Sequence, residues 1–393
     1  MLKQIAAVTL MNLRSLPQRW TTSWVIVIGI AVTVAVLVSV EAMALGFQKT
    51  LGHTGRPDRA IILRGGSAAE LNSTIVRDDT ITIMDAPGIK KDADGKPIAS
   101  AEIVDIIAVP LKATGTPANL TVRGVGAKAF VLRPEIHLIA GRMFQPALRE
   151  LIVGTGAQAQ FQGLELGGHI AFRDSDWTVV GVFDSDGDAH ASELMGDIDT
   201  VTSAFRRGTY LSSVTALLDS PEAFDSFKDA LTKNPALTVD AQREPDYYAD
   251  QAKQLNTILN FIAYFVGAIM AIGATFGALN TMYSAVAARA LEIATLRAIG
   301  FGSLPVVVSV FVESMLLALA GGGIGAALAW QFFNGDTVNT LGKNFTQVVF
   351  HLTVSSGLLA GGIIWACLIG LLGGLFPAIR AARQPVATAL RAA

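Results

Sequence analysis

Four stretches of this chain are long, apolar and nearly free of charge, and they restrict the possible folds more than anything else in the sequence. No charge lies between Arg19 and Glu41, none in residues 254–288, one acid (Glu313) in residues 298–335, and none in residues 355–379. A helix crossing a bilayer needs about 20 apolar residues. With 51% apolar and 16% charged residues, the chain is too apolar for an ordinary water-soluble protein of its length. It reads as an integral membrane protein with spans at residues 24–47, 257–287, 304–333 and 355–379.

The segments between the spans differ in charge. Residues 1–23 carry Lys3, Arg14 and Arg19 and no acid; the short segment 288–303 carries Arg289 and Arg297 against Glu292; the tail 380–393 carries Arg380, Arg383 and Arg391. Four spans place all three on one side, and the positive-inside pattern makes that side cytoplasmic. Residues 48–256 then lie outside a bacterial inner membrane, in the periplasm, with 334–354 as a short loop on the same side. The basic leader, the apolar run and Ala42-Met43-Ala44 also imitate a cleavable secretory signal, but leader and run are both long, which favours an anchor. Residues 48–256 hold 21 Lys plus Arg against 28 Asp plus Glu, a balance of 21 − 28 = −7, so nothing suggests nucleic-acid binding. The single cysteine, Cys367, falls in the last span, and the outer domain must rely on its core rather than on disulfides.

Within that domain, residues 60–63 form a short apolar run, Gly65-Gly66 a turn, a helix starts at Ser67, and residues 80–84 alternate as a strand. Residues 85–97 are a loop by composition. Strands are expected at 102–109, 119–125, 150–153, 169–173 and 177–183. Residues 214–218, 221–232 and 237–241 make a β-α-β unit, with Ser220 placed to cap its helix and Pro221 in the first turn. The fold class is a membrane α+β protein: four transmembrane helices with a mixed α/β domain, in two lobes, inserted between the first and second.

Tyr248, Ala252, Leu255 and Leu259 recur at four, three and four, lining one face of a helix that runs into the second span, and Ala44, Phe47 and Leu51 make a matching stripe past the first. A helix over residues 248–285 would be about 57 Å long, so part of it stands clear of the membrane as a stalk. The plainer alternative is a tilted span beside an unrelated helix. Gly273/Gly277, Gly321/Gly325, Gly357/Gly361 and Gly370/Gly374 have the spacing that permits close helix contact, without assigning partners. Glu313 lies about 13 Å along the third span; an acid there is functional, or else pairs with an arginine or is hydrated near the interface. In segment 288–303, Leu291, Ile293, Leu296 and Ile299 alternate with Arg289, Glu292 and Arg297. That mixture suits a short helix at the membrane surface, or an ordinary polar turn.

EIATLRAIG at residues 292–300, ESMLLALAGGGIG at 313–325 and GLFPAIRAARQPVATALR at 374–391 resemble the FtsX-type permease domain of the MacB and LolC/LolE class of ABC transporters. GRMF at 141–144, ELIVGTGAQAQF at 150–161 and DWTVVGVF at 176–183 resemble that class's periplasmic core domain. The resemblance implies a cytoplasmic coupling helix docked on an ATPase, with Arg289, Glu292, Ile293, Leu296 and Arg297 as the coupling residues. It also implies a dimer with a second copy or a paralogue, and a mechanism in which ATP-driven closure moves stalk and outer domain against cargo outside the membrane. A periplasmic adaptor of the membrane-fusion type is left open, and the cargo is not carried over. Residues 301–303 depart from the small-then-basic sequence expected after the coupling segment, and residues 85–95 look like an insertion.

No G-x-x-x-x-G-K-[ST] occurs, so ATP and magnesium are expected in a partner ATPase acting in trans, unlike MacB-like proteins with a fused one, and no cofactor is expected on this chain. Asp184, Asp186 and Asp188 begin like a calcium loop, but Ala189 and Met195 stand where Gly and Glu are needed; no metal site is expected. H-E-x-x-H and G-x-S-x-G are absent too, so the chain is not read as an enzyme. Two functions remain: a permease subunit that exports or extracts cargo, and an ATP-driven regulator of an extracytoplasmic enzyme such as a peptidoglycan hydrolase, as in FtsX itself.

Overall fold

The computed structural model describes residues 2–15, 20–341 and 347–383; Arg19 and the tail from residue 384, Arg391 included, lie outside the described residues. The chain forms two units, a helical one (residues 1–45, 258–336 and 352–393) and a sheet-containing one (46–257 and 337–351).

The helical unit contains α1 (Leu2–Ser15), most of α2 (Trp20–Gly52), the greater part of α8 (Glu244–Ala288), α9 (Ala290–Ala298), α10 (Ser303–Phe333) and α11 (Ser356–Arg383). Among the described residues, α2, α8, α10 and α11 are long and apolar enough to cross a membrane. Two of the four glycine pairs make close helix contacts. A Cβ on Gly321 or Gly325 would strike the α2 backbone at Val27 and Ala31, and one on Gly370 or Gly374 would strike Ala318 and Ser314 of α10. The hydroxyl of Ser314 donates to the Gly370 carbonyl across that seam at 3.0 Å, the kind of close approach that small residues allow between helices in lipid. Gly273, Gly277 and Gly361 face open space.

The sheet unit carries β1 (Arg59–Arg64), β2 (Ile75–Val76), α3 (Arg77–Met84), β3 (Ala99–Pro110), β4 (Pro117–Val125), α4 (Ala129–Leu132), β5 (His137–Gly141), β6 (Glu150–Gly154), α5 (Thr155–Gln160), β7 (His169–Phe172), β8 (Ser175–Asp184), β9 (Glu193–Asp197), α6 (Ile198–Ala204), β10 (Tyr210–Leu211), β11 (Ser213–Leu217), α7 (Phe224–Thr232), β12 (Val239–Arg243), β13 (Thr337–Leu341) and β14 (Gln347–His351). One sheet runs in the order β12-β1-β11-β3-β4-β9-β6-β8-β5, with β7 added to β8. Two apolar cores share it. Ile62, Val214, Ile83, Phe227 and Leu231 fill one under α3 and α7, while Leu120, Val122, Leu151, Trp177 and Val179 fill the other. The two expected lobes are therefore two halves of one continuous sheet, and the long strand β3 supplies residues to both cores.

Several expectations change. Residues 80–84 are not a strand but the end of α3, where Thr80 and Ile83 share the buried face and Asp78 and Asp79 occupy the first turn, where acids suit the helix dipole. The helix expected from Ser67 is only a 3-10 turn at Glu70–Asn72. Ser220 stands at the cap position but makes no side-chain cap bond. The loop between α10 and α11 contains the β13–β14 hairpin and belongs to the sheet unit. There Phe350 meets Phe47 edge-on with centroids 5.5 Å apart, and Val349 N donates to Ser192 Oγ at 2.9 Å.

Candidate functional site

A single residue separates α8 from α9. Arg289 leaves the helical region (φ −103°, ψ 8°), yet its N–H still reaches Val286 O at 3.2 Å and its carbonyl accepts from Ile293 N at 2.9 Å. Nine residues later α9 closes in a Schellman turn: Phe301 N donates to Leu296 O at 3.0 Å and Gly300 N to Arg297 O at 3.2 Å. That turn puts Gly300 at φ +102°, a conformation that only glycine takes without strain. The run EIATLRAIG thus encodes a short helix and its stop.

The break at Arg289 sends the side chain inward. Arg289 is 4% exposed and Glu313, on α10, likewise 4%; the guanidinium holds the carboxylate with Nη2–Oε1 at 3.2 Å and Nη1–Oε2 at 3.3 Å. Nη1 also donates to the Asn12 side-chain oxygen, and the Asn12 amide donates to the Ser309 hydroxyl. Asn12 and Val8 share the buried face of α1, so a polar residue one turn from an apolar one was the only sequence signal for this contact. A cavity of about 20 Å³ lies beside the cluster, lined also by Met282, Ile293 and Val310.

The five residues expected to couple to an ATPase are split by this arrangement. Arg289 and Ile293 are buried, Leu296 and Arg297 half-buried, and Glu292 exposed. Leu291 (46%) and Ile299 (69%) join Glu292 on the outward face. Glu313, expected to be functional or paired, is paired.

In the sheet unit the stripe residues Phe47, Leu51, Tyr248 and Ala252 are buried and Leu255 is half-buried; Ala44 and Leu259, in the helical unit, are buried too. The first turns of α8 are held by a network of buried charges that sequence patterning did not reveal, because its members are far apart in the chain. Glu244 Oε2 forms an ion pair with Arg59, 2.5 Å from its Nε, and Oε1 lies 3.8 Å from Arg133 Nε. Arg133 grips Glu102 at 2.5 and 3.1 Å. Arg123 donates to Glu193 at 2.7 and 2.9 Å, to Glu70 at 2.8 and 2.9 Å, and to Glu102 at 2.8 Å. Tyr247 Oη accepts from Glu70 N at 3.1 Å, Tyr248 Oη lies 3.4 Å from His190 Nε2, and the Gln251 amide donates to Ala68 O at 2.9 Å.

Burial alone would depress the proton affinity of His190, but the charges of Glu193 and Asp188 outweigh it and hold the imidazole above the usual histidine value, against a smaller opposing effect of Arg133. Glu193 is pushed up by burial and pulled further down by Arg123 and His190, to well below the usual range. A raised histidine contributes stability that is complete below its unfolded value, about 6.5, and is lost as pH rises through the folded value. The depressed glutamate contributes stability above its own unfolded value and loses it only in strong acid. The melting temperature of the full chain is therefore expected to fall as pH rises from about 6 to 9, and His190→Gln to flatten that slope. A wild-type melting temperature that does not change over this range would refute the assignment.

The aspartates set aside as a calcium loop do not act together. Asp188 turns inward to cap the following 3-10 turn, accepting from His190 N at 2.8 Å. His137 instead joins Asp184 and Asp186, with ligand atoms within 4.8 Å of one another. His137 and Asp186 are exposed and Asp184 accepts from Thr155 at 3.0 Å.

Comparison with known proteins gives two family matches. Residues 21–234 match the MacB-like periplasmic core domain and residues 264–386 the FtsX-like permease C-terminal domain. An uncharacterized ABC transporter permease of Methanocaldococcus jannaschii is 24% identical over 241 residues, 60% of each chain. The macrolide export ATP-binding/permease protein MacB of Escherichia coli is 23% identical over 312 residues, 74% of this chain and 47% of that one. The chain thus spans between about half and three-fifths of the length of these relatives. The crystal structure of the periplasmic region of MacB from Actinobacillus actinomycetemcomitans aligns with 52% of this chain and 93% of that one, at 17% identity and a TM-score of 0.36.

Proposed function

Because the chain belongs to the MacB-like and FtsX-like family of ABC transporter permeases, we propose that it couples ATP hydrolysis in a separate nucleotide-binding subunit to movement of its sheet unit, exporting or extracting cargo outside a bacterial inner membrane. The observation that carries this reading is the construction of α9. It is a stopped, nine-residue helix between two span-length helices, tied inward by Arg289 and Ile293 while Leu291, Glu292 and Ile299 face out. A helix held so firmly from behind can take a push from a docked ATPase without yielding. The buried bonds at the first turns of α8 support the other half of the mechanism, since α8 cannot shift there without carrying the sheet. The working assembly is a dimer with a second copy or a paralogue, and ATP and magnesium sit in the partner.

The test is co-purification from gently solubilised membranes, followed by an ATPase assay. Wild type is expected to bring down a nucleotide-binding subunit. Reversing the charges of Glu292 and Arg297 together should abolish that association while membrane insertion persists. Association that survives the reversal removes these residues from the docking face.

A further inference from the structure

We propose that the sheet unit has a binding pocket for a small ligand bearing carboxylate or phosphate groups, built from the β5–β6 loop, the β7–β8 hairpin tip and the end of α6. The concavity measures about 510 Å³ and is bordered by Arg149, Arg173 and Arg206, a volume that suits a small molecule. Three arginines lining one concavity, against the two acids Asp174 and Asp199, stand out in a stretch whose balance is 21 − 28 = −7.

The backbone around this pocket is arranged at a cost. The described non-glycine residues with positive φ are Ala147, Arg173, Asp174, Asp186 and Arg206, and all but Asp186 border the pocket. Each has an ordinary local role that glycine or asparagine would fill more easily. Arg173 and Asp174 (φ 49° and 61°) are the two central residues of a tight hairpin, where Asn-Gly is the usual choice. Arg206 (φ 53°) occupies the position after the α6 cap, where glycine is usual. Left-handed residues with side chains concentrate where the side chain is needed.

The guanidinium groups are also available. Arg173 Cζ lies over the Phe205 ring, 5.3 Å from its centroid, a contact that does not neutralise the group. Arg206 meets Asp174 at 3.3 Å, but both are more than four-fifths exposed, and such pairs are weak. A second lining acid, Asp199, meets Arg77 at 2.5 Å in another exposed pair. Arg149 is fixed through its carbonyl, which accepts from Thr178 N at 3.0 Å, while its side chain is exposed beside the pocket. Guanidinium groups lining one concavity match the paired oxygens of carboxylate and phosphate.

The experiment is calorimetric titration of the full chain in nanodiscs of neutral lipid with citrate, pyrophosphate and a water-soluble short-chain phosphatidate, which separates carboxylate, free phosphate and lipid-headgroup sources. Binding of at least one probe is expected, weakened about tenfold by Arg149→Gln and more by Arg149→Gln with Arg173→Gln. Arg206→Gly separates recognition from structure: it should weaken binding while raising the melting temperature by about 2 °C, because glycine relieves the turn. No binding by any probe up to about 10 mM, affinity unchanged in the arginine variants, or a melting temperature lowered by Arg206→Gly would each overturn the proposal.

Discussion

Replacing Arg123 by leucine is expected to cost roughly 3–5 kcal/mol and to lower the melting temperature of the chain by roughly 10 °C. The reason lies in the bond count. A guanidinium has five N–H donors, and those of Arg123 make five hydrogen bonds to Glu70, Glu102 and Glu193 in the buried interior of the sheet unit. Removing the cation leaves those acids facing one another with Arg133 and His190 as the nearest compensation. Arg123→Lys should be nearly as damaging, since an ammonium offers three donors from one point and cannot reach three carboxylates in a fork. The pH dependence carries a distinguishing sign. In wild type Glu102 and Glu193 are held below their ordinary values, burial opposing and the arginines prevailing, so acid removes stability. In Arg123→Leu the same carboxylates gain by taking up protons, so the deficit against wild type should shrink toward about pH 5. Thermal melts of both proteins across pH decide the matter; a deficit of less than about 1 kcal/mol would mean that the network relaxes around the loss.

Arg289→Ala and Glu313→Ala are each expected to destabilise the helical unit by roughly 3–5 kcal/mol, because either leaves its former partner buried at 4% exposure in a part of the chain flanked by apolar helices. Arg289→Met with Glu313→Leu removes both charges and should cost far less than the sum, giving a coupling energy of about 2 kcal/mol or more in a double-mutant cycle. Asn12→Leu adds a further arm, since it removes the bonds of α1 to Arg289 and Ser309 and leaves the Arg289–Glu313 pair in place. Strictly additive losses in the cycle would show that the two side chains do not act as a pair. The double variant also separates stability from coupling: if the pair merely fills space, ATPase association should persist, whereas a role in bracing α9 predicts a folded protein with weakened association.

How much of this was legible depended on sequence distance. The spans, strands β3, β4, β6, β7, β8 and β11, and the helix following Pro221 follow from local pattern, since periodicity and turn residues act within a few positions. Residues 80–84 misled because their alternation mimics a strand, and only the tertiary burial of Thr80 and Ile83 together reveals the helical period. Glycine spacing announced close helix contacts but could not say that Gly321 and Gly325 meet α2 while Gly370 and Gly374 meet α10. The charge networks were beyond pattern altogether: Arg123 meets Glu70 across 53 positions and Arg289 meets Asn12 across 277, and each residue alone looks like a surface charge. The resemblance names both Glu292 and Arg289 as coupling residues, and sequence did not show that the break in the helix turns one outward and the other in.

The β13–β14 hairpin also sets an order for biogenesis. Its strands belong to the sheet unit, yet the ribosome makes residue 350 only 350 − 257 = 93 residues after the rest of that unit is complete, about 5–19 s later at ordinary elongation rates. Through that interval Phe47 lacks Phe350 and the Ser192 hydroxyl lacks the Val349 amide. The sheet unit is therefore incomplete until β14 has been synthesised.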